Sequence, residues 1–328
     1  MKHLSILVPT EQTGMNTIAC IVGSFQVFTE ANKYLESKDK IPIFKIELVG
    51  ASNGKFLDQG FLSVKQDAVI KEVTTTNLVI IPASAIRDYD TATESNQQLI
   101  DWIARQYKQG AEIASMCAGG FMLASTGLLS GKTCSTHWAL SNDFRNLFPD
   151  INLQTDKLIT DENGIYTNGG AYSFLHLLMY MVEKFYGRET AIHCAKYFQV
   201  DLDRNLQAGF SIFTGHKKHN DEAVLDAQAF IEENYRDKIS IEQLSVKFGI
   251  GRRNFDRRFI KATSLTPLDY LQRVKIEAAK KTFENSRKSV NEVMYEVGYN
   301  DTKAFREVFN RVTGMSPIDY KSKYNKGS

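Results

Sequence analysis

The chain has 328 residues, of which 43% are hydrophobic and 24% charged, which is ordinary for a globular protein of two or three domains. Its net charge of +2 is spread unevenly, because residues 240–328 alone hold 18 basic and 10 acidic side chains, a net charge of +8. A basic C-terminal part suggests a polyanionic partner, most often nucleic acid, although charge alone leaves a solvated lysine-rich surface equally open.

The four cysteines, Cys20, Cys117, Cys134 and Cys194, lie far apart and form no C-x-x-C pair. This spacing argues against a zinc site and against a disulfide scaffold. The apolar stretch 4–9 is too short for a signal peptide, and no apolar run reaches the ~18 residues of a membrane span. We therefore expect a cytoplasmic protein with reduced thiols, no cofactor, no metal and no membrane partner.

Short apolar runs alternate with helix-like segments through the first two hundred residues. Continuous apolar runs of this kind are typical of strands buried on both faces. The predicted strands are 4–9, 44–50, 77–83, 112–118, 132–137 and 165–170, and the clearest helices are 94–109 and 172–186. Strands that alternate with helices predict a doubly wound parallel sheet, whose ligand site lies at the carboxyl ends of the strands.

The sequence SMCAGGF, residues 115–121, falls at one such strand end. A cysteine between an apolar run and two glycines is the pattern of a nucleophile on a sharp strand-to-helix turn. The same turn also offers backbone N–H groups to an anion or a carbonyl group. Such a position is expected to lower the pKa of the Cys117 thiol and to make it easy to oxidise.

The run MCAGGFMLASTGLLSGKTCSTHW, residues 116–138, resembles the class I glutamine amidotransferase-like superfamily in its PfpI-type branch, as does GIYTNGG at 164–170. The resemblance covers about 1–200 and implies a flavodoxin-like fold with an elbow cysteine at Cys117. It also implies an acid at the position of Cys20 and a glutamate at that of Gln26. Neither carboxylate is present, and Ala118 replaces the histidine of the peptidases' C-H pair.

The missing carboxylates decide how we interpret Cys117. A thiol near its ordinary pKa of ~8.5 needs a neighbouring acid or base for turnover, and Cys20 is a poor substitute. We predict a degenerate site that binds a ligand, with no catalytic residue. The predicted pocket consists of Cys20, Cys117, Ala118, Gly119 and His137. The alternatives are a cysteine-dependent hydrolase or hydratase and a thiol redox sensor that uses Cys117.

The last hundred residues contain an internal repeat with a shift of about 50 residues. LTPLDY at 265–270 recurs as MSPIDY at 315–320, and Phe255 and Phe259 recur as Phe305 and Phe309. Each copy begins with an S-x-x-[EQ] capping box and continues with a short helix, a glycine turn and a longer helix. This order predicts two helix-turn-helix units, joined by a helix from Pro267 to about residue 285.

The second helix of each unit is expected to enter the major groove of DNA. In the first copy Phe255, Phe259 and Ile260 form the predicted buried stripe, which leaves a strongly basic outward face. Arginine suits guanine edges or phosphates and asparagine suits adenine. The predicted DNA-binding residues are Arg252, Arg253, Asn254, Asp256 and Arg257 in the first copy, and Asn300, Thr302, Lys303 and Arg306 in the second.

This part of the chain resembles the AraC/XylS family of transcription regulators over about 221–324. The tail VGYNDTKAFREVFNRVTGMSPIDY, residues 297–320, carries the match, whereas Gly251 stands where the family has a serine cap. The resemblance implies that one protomer inserts both recognition helices into successive major-groove faces, roughly one duplex turn (~34 Å) apart. It singles out Arg253 and Arg257 as base readers.

The composition of 207–220, with two glycines, two histidines and two lysines, predicts a linker, and His216 and His219 are not expected to bind metal. The predicted domains are 1–206, an effector and dimerisation domain, and 221–328, the DNA-binding domain. An amidotransferase-like domain before an AraC-type domain resembles the GlxA-type regulators. We expect a non-enzymatic, homodimeric transcription regulator that binds double-stranded DNA and a small effector.

Overall fold

The computed structural model describes residues 1–9, 13–51, 57–58, 60, 62–84, 97–202, 204 and 206–325. The chain divides into two compact units, Met1–Gln207 and Ala208–Ser328. None of the helices within these described ranges is long and apolar enough to cross a membrane.

A seven-stranded sheet forms the centre of the first unit, in the order β10-β11-β7-β6-β1-β2-β5. All neighbours in this sheet pair in parallel except β10 and β11. The strands are β1 Lys2–Val8, β2 Phe44–Gly50, β3 Leu57–Asp58, β4 Ser63–Val64, β5 Ala68–Val69, β6 Leu78–Ile81, β7 Glu112–Met116, β8 Thr133–Cys134, β9 Asn152–Leu153, β10 Ile159–Glu162 and β11 Ile165–Asn168.

The helices of the first unit are α1 Met15–Glu36, α2 Gln97–Lys108, α3 Gly119–Ser125, α4 Ser141–Leu147, α5 Phe174–Tyr186 and α6 Arg188–Phe198. Four of them, α1, α2, α3 and α5, contact strands of this sheet, and α6 packs on α1 and α5. The central order β2-β1-β6-β7-β11 is the 2-1-3-4-5 order of flavodoxin-like folds, which confirms the predicted fold class. The strands β6 and β11 are buried at every position, and β6 consists of aliphatic residues only, as expected for a strand that is covered on both faces.

Two predicted features of the sheet differ in the structure. The run 132–137 supplies only the short strand β8, which pairs with β9 outside the main sheet, and the next N–H group, that of Ser135, donates to the Thr167 hydroxyl instead of to a strand carbonyl. The edge strand β10 forms an antiparallel hairpin with β11, and the sheet is therefore mixed. The hairpin turns at Asn163 and Gly164, which both have positive φ angles.

The second unit consists of helices. They are α7 Glu222–Asn234, α8 Ile241–Lys247, α9 Arg252–Thr263, α10 Pro267–Asn285, α11 Val290–Glu296, α12 Thr302–Thr313 and α13 Pro317–Tyr324. Ser289 and Glu292 form a complete capping box, whereas Ser240 accepts a hydrogen bond from the Gln243 N–H without the reciprocal bond. Thr266 and Ser316 cap the two helices that begin with proline, as their sequences predict.

Each helix-turn-helix unit has its own apolar core. Phe255 and Phe259 are fully buried in the first core, and Phe305 and Phe309 are fully buried in the second. The prediction that Ile260 belongs to the buried stripe is wrong, since this side chain is 45% exposed. Ile260 directly follows Phe259 and therefore points about 100° further around the helix, away from the core that Phe255 and Phe259 fill as an i and i+4 pair.

The connecting helix α10 is joined to the second helix-turn-helix unit by a buried charged side chain. Lys275 donates hydrogen bonds from Nζ to the carbonyl oxygens of Val297 and Gly298, at 3.1 and 3.2 Å. Burial lowers the pKa of the Lys275 ammonium. These two carbonyl groups end α11, so the lysine closes the turn of the second helix-turn-helix unit from the side of α10.

The predicted linker 207–220 makes ordered contacts on either side of the unit boundary. Gln207 is buried in the first unit, where its side chain contacts Thr136. Phe213 packs into the first core of the second unit, and Lys280 donates to the carbonyl of Ser211 at 2.6 Å. The segment after Ala208 is therefore fastened to α10 through main-chain hydrogen bonds as well as an aromatic anchor.

Candidate ligand cavity and nucleic-acid interface

A cavity of about 350 Å³ lies at the carboxyl ends of β1, β6 and β7. This is the position at which ligands bind in doubly wound sheets. Its volume falls within the usual range for small-molecule sites. The cavity is lined by Gly14, Met15, Asn16, Thr17, Ala83, Ser84, Cys117, Ala118, His137, Ala139 and Leu140.

Cys117 occupies a sharp turn between β7 and α3. Its φ angle of 53° lies in the left-handed region, which is uncommon for a residue with a side chain. Its N–H donates to the Asn168 carbonyl at 3.1 Å, and its own carbonyl accepts the Thr136 hydroxyl at 2.9 Å. These bonds from two neighbouring segments hold the strained turn, and the elbow geometry that the sequence predicts is present.

Close packing next to this turn requires a glycine at position 119. A Cβ atom on Gly119 would lie 2.6 Å from the carbonyl oxygen of Pro82. Any residue other than glycine at this position would therefore push α3 away from the end of β6. Gly119 consequently belongs to the support of the cavity and is not among its lining residues. Cys20 is not a lining residue either, since it is only 1% exposed on the inner face of α1. Ala118 and His137 line the cavity together with Cys117.

The chemistry of the thiols differs from the sequence expectation. Burial raises the pKa of Cys117 to about 11, and only the backbone N–H of Ala118 opposes this effect. Burial raises the pKa of Cys20 to about 12. The prediction of a lowered Cys117 pKa is wrong, because α3 contributes a single short helix end while the apolar core desolvates the thiolate.

The His137 side chain stabilises the main chain that follows it. Its Nδ1 accepts a hydrogen bond from the Ala139 N–H at 3.1 Å and so caps the short 3₁₀ turn Trp138–Leu140. Burial lowers the pKa of the imidazole, which keeps it neutral near pH 7. A neutral His137 and a protonated Cys117 leave the cavity without a pre-formed ion pair of the kind that cysteine hydrolases use.

We expect Cys117 to react slowly with thiol reagents. At pH 7.5 a pKa of about 11 leaves roughly a few hundred-fold less thiolate than in free cysteine, so alkylation by iodoacetamide should be at least about 100-fold slower. The rate should rise steadily with pH, without a plateau below about pH 10. Peptide mass spectrometry of the native and the urea-unfolded chain measures both rates, and rapid native labelling at neutral pH would contradict a buried, protonated thiol.

The first recognition helix, α9, presents its arginines unequally. Arg252 is bound by Glu242 and by Asp256, the latter at 2.9 Å, and Asp256 is itself half-buried. Arg257 contacts Asn254 at 2.9 Å on the exposed face. Arg253 is exposed and makes no ion pair with any described residue. Of the predicted DNA-binding arginines of α9, it is therefore the one that no contact within the described part of the chain holds.

The second recognition helix, α12, begins with a strong cap. Asp301 accepts hydrogen bonds from the N–H groups of Lys303 and Ala304, at 2.7 and 3.1 Å. The exposed residues include Lys303 and Arg306, and Thr302 is half-exposed at the first helical position. Asn300 is exposed just before the helix. The structure thus places all four predicted residues of this copy at the surface, around the amino-terminal half of α12.

Other histidines that could suggest a metal are engaged in the fold. His219 contacts the side-chain oxygen of Gln228 at 2.9 Å, and His216 contacts the carbonyl of Thr263. Among the residues that the structure describes, no group of three or more metal-ligating side chains occurs.

Comparison with known proteins finds a matching family in each of the two units. The model of the DJ-1/PfpI family matches residues 33–184, and the model of a helix-turn-helix domain matches residues 244–323. A crystal structure from Vibrio parahaemolyticus, provisionally described as a transcriptional regulator protein, has 25% identity and a TM-score of 0.52. It covers 60% of this chain and 98% of its own. The protein is therefore a DJ-1/PfpI domain joined to a helix-turn-helix domain.

Two curated relatives show which proteins this combination resembles. The transcriptional regulator GlxA of Rhizobium meliloti is 22% identical over 283 residues, which cover 84% of each chain and thus extend into both units. The regulator GbdR of Pseudomonas aeruginosa is 24% identical over 221 residues, 67% of this chain. The match spans 60% of the length of GbdR. The chain has the architecture of the GlxA-type, AraC-type regulators to which its sequence is similar.

Proposed function

We propose that this protein is a sequence-specific, DNA-binding transcription regulator of the cytoplasm. The observation that carries the proposal is the pair of basic recognition helices, α9 and α12, which the single helix α10 connects. The net charge of +8 over residues 240–328 favours a polyanionic partner. The names of the relatives GlxA and GbdR support the same class of function.

We further propose that the first unit binds a small effector and mediates homodimerisation, and that it has no catalytic role. The raised thiol pKa values and the absence of a carboxylate at positions 20 and 26 support a binding role over hydrolysis. The same raised pKa disfavours the alternative of a peroxide sensor at Cys117. A Cys117→Ala variant should therefore keep DNA binding both with and without peroxide.

Arg253→Ala and Arg306→Ala should each weaken specific DNA binding by about 5- to 150-fold, because a base contact contributes about 1–3 kcal/mol. Arg252→Ala should cost less, since Glu242 and Asp256 already occupy this guanidinium. Fluorescence anisotropy with duplexes that the wild-type chain selects from a random pool measures these affinities. Lys38→Ala, an exposed charge of the first unit, is the charge-matched control.

Two results would contradict DNA recognition by α9 and α12. If the wild-type chain selects no common sequence, or if Arg253→Ala and Arg306→Ala bind the selected duplex as tightly as Lys38→Ala does, the protein does not read DNA through α9 and α12. Light scattering of the full chain tests the homodimer separately from DNA binding.

A further inference from the structure

The cavity contains a buried hydroxyl group that lacks a hydrogen bond. Ser84 lies shortly after β6, is only 1% exposed and lines the cavity, and its Oγ has no partner among the described residues. A buried hydroxyl group without a partner costs about 1–3 kcal/mol. A bound molecule with an oxygen acceptor would remove this cost.

A second set of unpaired donors faces the same cavity. The long helix α1 begins at Met15, and its N-cap residue, Gly14, has no side chain to cap it. The N–H groups of Thr17 and Ile18 turn back to the Gly14 carbonyl, at 2.9 and 3.3 Å. The N–H groups of Met15 and Asn16 have no acceptor among the described residues. These donors lie at the partly positive end of the helix dipole.

The side chains around these donors define the charge of a ligand. The first turn of α1 contains no acidic residue, so nothing within the helix neutralises its dipole. The described lining residues also contain no lysine or arginine, and Cys117 and His137 are uncharged near pH 7. Helix donors and a hydroxyl suit one negative charge, whereas a dianion would require a cationic side chain.

We propose that the cavity binds a small molecule through a carboxylate group. One carboxylate oxygen accepts the N–H groups of Met15 and Asn16, and the other accepts the Ser84 hydroxyl. The aliphatic part of the molecule packs on the apolar wall formed by Ala139 and Leu140. This inference rests on the proposed function for one point only, that the bound carboxylate compound is the effector of the regulator.

The test compares four probes of similar size on the full chain: butyrate, butyramide, butylammonium and inorganic phosphate, at equal ionic strength. Both tryptophans of the sequence, Trp102 and Trp138, lie in the first unit, so tryptophan fluorescence reports the thermal unfolding of the unit that contains the cavity. We expect butyrate to raise the Tm in a saturable manner and the other three probes to leave it unchanged.

Two variants locate the carboxylate. Ser84→Ala should weaken butyrate binding about tenfold or more and leave the Tm without ligand unchanged or higher, because no internal hydrogen bond is lost. Asn16→Asp places a negative charge in the exposed first turn of α1, so it should also weaken butyrate about tenfold and raise the Tm without ligand. Asn152→Asp, an exposed change of the same kind on β9, should leave butyrate affinity unchanged.

The outcomes separate this inference from the proposed function. Equal stabilisation by butyramide, butylammonium or phosphate would overturn the choice of a carboxylate, and so would the absence of any butyrate effect at 50 mM, a concentration on the order of that needed for a weak fragment. Butyrate binding that survives Ser84→Ala and Asn16→Asp would place the carboxylate elsewhere. In each case, sequence-specific DNA binding by the wild-type chain would leave the regulator proposal intact.

Discussion

Lys280→Met should destabilise the second unit by about 3–5 kcal/mol, the usual effect of leaving a buried charge without its partner. Lys280 and Glu277 are 6% and 11% exposed and form an ion pair of 2.7 Å. The Lys280 ammonium also binds the Ser211 carbonyl, and Glu277 accepts the N–H of Phe213 at 3.2 Å. The substitution therefore isolates a carboxylate and releases the segment that enters this unit.

The measurement is urea unfolding of the full chain, followed by far-ultraviolet circular dichroism for the helices of both units and by tryptophan fluorescence for the first unit, so that a transition seen only by circular dichroism reports the second unit. Lys288→Met is the matched control, because its ion pair with Glu296 is 46% and 30% exposed and should contribute less than about 1 kcal/mol. The double variant Lys280→Met/Glu277→Gln should recover most of the loss. Equal effects of the two lysine substitutions would show that burial of the pair has no energetic consequence.

Gly298→Ala should destabilise the second helix-turn-helix unit by about 2–5 kcal/mol. The φ angle of Gly298 is 77°, which costs an alanine about 1–2 kcal/mol. Its Cβ atom would also overlap the Arg236 carbonyl oxygen and lie 2.7 Å from the Lys275 ammonium. Neither neighbour can retreat easily, since one is main chain and the other is fixed by two carbonyl groups.

The equivalent turn of the first unit supplies the control for this prediction. Gly249 has a φ angle of 64°, but a Cβ atom there would meet nothing within 4 Å. Gly249→Ala should therefore cost only the conformational part, about 1–2 kcal/mol. The same urea experiment measures both variants. A cost for Gly298→Ala no larger than that for Gly249→Ala would mean that the close approach of Arg236 does not constrain the turn.

Patterns within single segments predicted the helices and most strands well. The repeat predicted α10 with its exact ends, since Pro267 fixes the beginning and the polar residues after Asn285 cannot continue a buried face. The antiparallel direction of β10 could not be predicted, because strand direction depends on the turn at Asn163 and Gly164 and not on apolar periodicity.

The chemistry of the site was less accessible from the sequence. The motif around Cys117 correctly predicted an elbow, but the pKa of its thiol depends on how completely the surrounding core excludes water. Ser84 carried no signal in the sequence, because an unpaired hydroxyl group is recognised only when every neighbouring acceptor is known. Likewise, only the side-chain contacts distinguish the free Arg253 from the occupied Arg252.

The connecting helix α10 also restricts the spacing between the two DNA segments that the recognition helices can contact. Its 19 residues form a rod of about 28 Å, at 1.5 Å per residue, that is tied to both recognition units by buried side chains. One extra base pair between the two target blocks would turn the second block by about 35° around the duplex axis, and a rod cannot follow that rotation. Base changes between the blocks should thus be tolerated, whereas insertions and deletions should not, so the sites of this protein in a genome would share one spacer length.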